Sequence, residues 1–223
     1  MSSLFFSANS LKMHHRFAED GFSVFSRQVL PLLERFCPAD IAAPDMRSLL
    51  ENPQATFRTS HPAHVTTSSV LLSADNQKVL LLFHRKIGEW VYPGGHADGD
   101  WHLLRSALRE CFEETSLKEL EVCPPRCILD GDNALFCPHL FQRFSIRETP
   151  TEAAHVHFDA VFVFRNVSNG QAVCDPLESS GSKWVTVEDL RAHATRADGV
   201  VDGLSALTAQ ICLRGMQSAL GTD

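Results

Sequence analysis

A chain of 223 residues with 20 Lys and Arg against 27 Asp and Glu carries a net charge of -7 and has no cationic excess for holding a phosphate polymer. It shows no Lys/Arg cluster and no apolar run of membrane-span length, so neither a nucleic-acid polymer nor the bilayer is an expected partner. The start Met1-Ser-Ser-Leu-Phe-Phe-Ser7 lacks the charged head of a signal peptide, and the seven cysteines form no Cys-x-x-Cys pair, so reduced thiols in a cytoplasmic protein are expected.

Residues 22–36 place Phe25, Val29, Leu32, Leu33 and Phe36 at helical spacing, and residues 46–51 suggest a second short helix. Cys37-Pro-Ala-Asp-Ile41 breaks the two apart. Residues 1–60 thus read as a helical extension, and residues 61–223 as one domain with a well-formed core. Its first β-rich runs, 65–72 and 78–84, are joined by the turn-rich Ser73-Ala-Asp-Asn-Gln77 and read as a hairpin. Val91-Tyr92-Pro93-Gly94-Gly95-His96 is a strand entering a turn whose glycines let backbone approach a ligand closely. Further strands are expected over 136–146, 156–164 and 183–187. A helical stretch opens at Glu188-Asp189-Leu190, and a last helix covers about 204–219. The order is mixed α/β, with helices on both faces of a sheet.

The segment after the glycine turn carries the chemistry. Glu110, Glu113 and Glu114 stand at i, i+3 and i+4, which stacks three carboxylates on one helix face about a turn apart. Like charges this close repel, and a hard divalent cation with oxygen ligands would offset them, Mg²⁺ being usual where phosphates complete the shell. Leu104, Ala107, Leu108 and Cys111 form a separate stripe that can bury the helix. A solvated charged helix is the plain alternative, and the Pro-Gly-Gly in front of it argues against that.

Gly95, Arg109, Glu110, Glu113, Glu114 and Leu117 fall in register with the Nudix box, and the chain resembles the Nudix hydrolase family over about residues 64–192. Three positions depart from the box: Trp101 stands at the first Glu, Ser116 at the second Gly, and Cys111 at an aliphatic. The resemblance implies the Nudix fold, a mixed β-sheet in an α/β/α sandwich, here with an N-terminal helical extension. That extension is similar to one in a bacterial subgroup whose first strand also begins His-x-Thr-x-Ser. It is expected to cover a sheet edge or to form a homodimer surface.

The resemblance further implies hydrolysis of a diphosphate linkage, with Mg²⁺ or Mn²⁺ held by Glu110, Glu113, Glu114 and the carbonyl of Gly94. Arg109 would position Glu110, and Asp100 would supply the loop carboxylate that the box lacks at Trp101. Glu178, six residues before Trp184, matches a loop Glu that serves as base or metal ligand in many relatives. Gly95, His96 and Asp98 are expected at the substrate rim, and Trp101 either there or stacked on a base. His155, His157 and Asp159 share one strand face, either beside the substrate or on an exposed edge, with His157 and Asp159 the expected contacts. The substrate would be a nucleoside diphosphate linked to another group, oxidised nucleotides and ADP-ribose included. A ligand sensor without turnover and an isoprenoid-diphosphate isomerase share the fold. Intact glutamates oppose the first, and the lack of an evident catalytic Cys motif opposes the second. Cys123, Cys127 and Cys137 lack a further ligand at standard metal spacing.

Overall fold

A computed structural model describes residues 5–7, 21–36, 39, 42, 44–123, 127–130, 133–168, 171–197 and 199–221. The sequence alternates short apolar strands with two longer amphipathic helices, and the structure sorts them into three layers. The strands β1 (Phe5–Ser7), β2 (Ala63–Leu72), β3 (Lys78–His84), β4 (Glu89–Val91), β5 (Gly94–His96) and β6 (Glu119–Val122) belong to one mixed sheet. β7 (Cys127–Asp130) and β8 (Asn133–Phe136) form a separate hairpin, and β9 (Leu140–Ile146) and β10 (His155–Asn166) return to the main sheet. β11 (Ser179–Thr186) pairs with β3, and β12 (Val200–Val201) and β13 (Leu204–Ser205) extend the β4 side.

Period-two alternation in the two central strands builds both faces. On β10, Phe158, Ala160, Phe162 and Phe164 point to one core, and Val161 and Val163 to the other. On β2, Val65 and Leu71 join the first, and Val70 and Leu72 the second. The first face is covered by α4 (Leu103–Thr115), whose Leu104, Ala107, Leu108 and Cys111 are all buried as the stripe predicts. At roughly 1.5–3 kcal/mol for each fully buried leucine, this stripe anchors the acidic helix firmly. The second face is covered by α5 (Val187–Ala194) and α6 (Ala206–Leu220), through Leu190, Ile211, Cys212 and Met216. The α/β/α sandwich expected from the sequence is borne out.

The N-terminal helices add to the first core. They comprise α1 (Gly21–Val24), a π-helical turn (Phe25–Val29), α2 (Leu30–Phe36) and α3 (Pro44–Leu50). Phe25, Leu33, Met46 and Leu50 are buried in the same cluster as Leu104 and Leu108. The break at Cys37–Ile41 falls mostly outside the described residues, as does the side chain of Cys127. Cys123 and Cys137 are buried. No described helix is long and apolar enough to cross a membrane.

Candidate active site

β5 is a three-residue strand whose Gly94 and Gly95 pair with Ser68 and Thr67 of β2. Both glycines are required by closeness. A Cβ on Gly94 would collide with Ser68 and the Thr67 carbonyl, and one on Gly95 would lie 2.5 Å from Glu110 Oε2. The turn therefore brings bare backbone against the acidic edge of α4. The Gly94 N–H donates to Glu114 Oε2 at 2.7 Å. Arg109 reaches across the same edge: Nη1 lies 2.7 Å from Glu110 and 3.2 Å from Glu113, and Nη2 donates to the His96 carbonyl at 2.9 Å. α4 ends on Ser116 at φ 55°, a left-handed position that explains why the box has Gly there.

The electrostatics of this edge are unbalanced. Burial pushes Glu110 up to about 7, against the pull of Arg109 and with help from Glu113 and Glu178. Burial above all raises Glu114, against the Gly94 N–H and with help from a hydrogen bond to Glu178 and repulsion from Glu178 and Glu110. Glu178 thus stands against Glu114 although 64 residues separate them (178 minus 114). It is delivered at the head of β11, where Ser179 pairs with His84, and the Arg85 N–H donates to the Glu178 carbonyl at 2.9 Å. Four carboxylates and one guanidinium, with two of the carboxyls buried and raised, are a donor set for a hard divalent cation. The residues present fit that group.

These side chains open onto a cleft of about 950 Å³, within the size of small-molecule sites. Gly94, Gly95, His96, Asp98 and Arg109 line it, as do Glu110, Glu113 and Glu178, together with His157 and Asp159 of β10. Glu114 lies beneath Gly94. β10 runs between β2 and β9, so its polar face is interior to the sheet rather than an exposed edge. Asp159 is buried, accepts hydrogen bonds from Thr66 at 3.0 Å and Ser68 at 2.9 Å, and is pushed up to about 6 by burial. His96 is pushed down to about 4, chiefly by burial and then by Arg58.

Two expectations are corrected. Asp100 does not join the carboxylate cluster: its carboxylate pairs with Arg105 at 2.6 and 2.8 Å and accepts the His102 N–H at 2.8 Å. The loop carboxylate that reaches Arg109 is Asp98, at 3.8 Å. Trp101 faces away from the cleft and is 5 % exposed. Its indole N–H donates to the Pro53 carbonyl at 2.9 Å, and its ring packs on Phe25 at 4.6 Å and Phe22 at 5.1 Å. The residue in the first Glu position therefore docks the N-terminal helices. Sequence reasoning missed Thr66 and Ser68. Part of the signal was present, since His64, Thr66 and Ser68 share one strand face as His155, His157 and Asp159 do, and parallel pairing sets the two runs side by side.

The NUDIX domain model matches residues 62–203. The chain belongs to the NUDIX family. A Bacillus subtilis (strain 168) protein provisionally named 8-oxo-dGTP diphosphatase is 26% identical over 117 residues, 52% of this chain. The match spans 63% of that relative's length, so this chain covers less than two thirds of it. Among solved structures, a NUDIX-family hydrolase from Clostridium perfringens superposes with a TM-score of 0.51 at 22% identity, over 71% of this chain and 98% of that one. That likeness is one of fold, and it agrees with the NUDIX box geometry on β5 and α4.

Proposed function

We propose that this NUDIX protein hydrolyses the diphosphate linkage of a nucleoside diphosphate joined to another group, with a divalent cation, Mg²⁺ or Mn²⁺, as cofactor. The observation that carries this reading is the convergence of Glu110, Glu114 and Glu178 on the backbone of Gly94 and Gly95 at the floor of an open cleft. Glu110, Glu113, Glu114 and the Gly94 carbonyl would hold the cation. When bound, it neutralises the diphosphate and lowers the pKa of water.

The chain's own residues supply the rest. Arg109 fixes Glu110 and is itself held by the His96 carbonyl, which makes it a positioning residue. Glu178, exposed at the cleft, is the carboxylate placed to accept a proton from attacking water. His96, Asp98, His157 and Asp159 border the space a substrate would fill. The name of the B. subtilis relative supports a nucleotide, oxidised nucleotides included, as the substrate class. The partner is then a small molecule in the cytoplasm.

The test is a panel of nucleoside diphosphate derivatives and oxidised nucleotides, incubated with Mg²⁺ or Mn²⁺ and read by product chromatography. At least one should be cleaved between phosphates, with turnover lost in Glu114→Gln. Nucleotide binding without cleavage under either cation would instead make the protein a sensor.

A further inference from the structure

Where β2 and β10 meet the cleft, the chain gathers imidazoles. His64 comes from β2 and His155 and His157 from β10, and the parallel register sets His157 directly beside His64. Ring centroids lie 4.6 Å apart for His64–His157, 4.8 Å for His155–His157 and 4.9 Å for His64–His155. One ring nitrogen of each lies within 4.8 Å of the others. His64 is 0% exposed and His155 4%, while His157 is half-buried on the cleft wall.

Backbone carbonyls fix which nitrogens face inward. The Nδ1 of His155 lies 2.9 Å from the Ala153 carbonyl, and the Nδ1 of His64 lies 3.2 Å from the Ser60 carbonyl. A carbonyl only accepts, so each Nδ1 carries the proton and each neutral ring turns a bare Nε2 away from it. The Nε2 of His64 is buried and has no hydrogen-bond partner among the described residues. A buried lone pair left unmatched costs free energy, and metal ligation is one way to satisfy it. The bare Nε2 of His155 accepts a hydrogen bond from the Nε2–H of His157 at 2.9 Å, and a bound metal would take the place of that proton. Burial lowers His64 and pushes His157 down to about 3, so both stay neutral near pH 7, the form that ligates metals.

We propose that His64, His155 and His157 form a binding site for a transition-metal ion of the Zn²⁺ type, separate from the carboxylate cluster. Imidazole suits zinc, copper and nickel, whereas the all-oxygen helix edge suits magnesium, so the two walls select different ions. Ligand bonds of about 2.0–2.1 Å place tetrahedral nitrogens about 3.4 Å apart, which small side-chain rotations reach from the present positions. Carbonyl-held Nδ1 protons are the orientation that metal-binding histidines adopt. Glu152 lies 3.7 Å from His155 Nε2 and adds negative charge, while Arg58 near His157 opposes it. Three protein ligands leave a fourth position, which at His157 faces the cleft and is open to water or a substrate group. None of this depends on the diphosphate reaction.

The experiment uses tag-free full-length protein, stripped with chelator, supplied with Zn²⁺ in the presence of excess Mg²⁺, desalted, and assayed for zinc by mass spectrometry. The wild type and Glu114→Gln should each retain about one zinc per chain, and His155→Gln less than about a fifth of that. Should the buried His155 variant fail to fold, His157→Gln carries the test, with zinc affinity expected to fall at least about 10-fold. Cobalt substitution should give visible tetrahedral absorption in the wild type and Glu114→Gln alone. A wild type that retains no zinc overturns the proposal. So does zinc that is lost in Glu114→Gln and kept in both histidine variants.

Discussion

On the helix wall of the cleft, burial raises Glu110 and Glu114, while on the strand wall it lowers His64 and His157. One cause acts on both: removal from water disfavours whichever form is charged. The acids are driven to hold a proton that a hard cation can displace, and the bases to shed one and expose a lone pair. The walls also differ in how the chain makes them. The helix wall comes from 21 consecutive residues, Gly94 to Glu114 (114 minus 94, plus one), with Glu178 added from the loop that enters β11. The strand wall needs β2 and β10, whose partners Thr66 and Asp159 are 93 residues apart.

The largest expected effect separates the walls by function. Glu114→Gln should lower kcat/KM by at least about 100-fold while leaving zinc retention intact. Steady-state kinetics beside metal analysis would check it, and a loss under about 3-fold would move catalysis away from the helix wall. Next comes Arg109→Ala, expected to cost about 10- to 100-fold in kcat by releasing Glu110, with a smaller change in Mg²⁺ affinity. Equal losses in Glu110→Gln and the double variant would show that the two act as a unit.

A third comparison lies behind the helix wall. Trp101→Ala should destabilise by about 3 kcal/mol or more and lower Tm by several degrees, because it empties the pocket under Phe22 and Phe25. The kcat of the folded fraction should change little. Asp100→Asn should likewise act on stability, through Arg105 and the start of α4, more than on turnover.

The smallest effect is a pH slope in protein stripped of divalent cations. Glu110 sits near 7 folded and near 4.5 unfolded, so the native state binds more protons between those values, and stability falls as pH rises through that window. Glu110→Gln should flatten this part of the slope and raise Tm by roughly a few degrees at pH 7.5 in chelator. Melting curves across pH would show it, and an unchanged slope would remove Glu110 from the unbalanced set.

The helix wall was legible in the sequence because helix geometry is local. Fixed spacing places Glu110, Glu113 and Glu114 on one edge, and the glycine turn precedes them at a set distance. Glu178 was reachable by its offset from Trp184, since the β11–β3 pairing carries the loop to the cleft. Trp101 misled because a residue next to the box on the chain can point to the other side of the loop, and only the N-terminal helices decide which. Asp100 misled for a related reason: Arg105, in the first turn of α4, claims it first. His155 and His157 were legible as one strand face, but their meeting with His64 stayed hidden because no local rule announces parallel pairing between strands so far apart in sequence.

The most direct measurement is an Mg²⁺ titration of chelator-stripped protein, following Tm and turnover on the best substrate together. In the wild type both should rise with a common midpoint, and in Glu114→Gln neither should respond over the same range. Full turnover in the stripped protein, or an equal rise of Tm in the wild type and Glu114→Gln, would contradict a cation-dependent hydrolase built on α4.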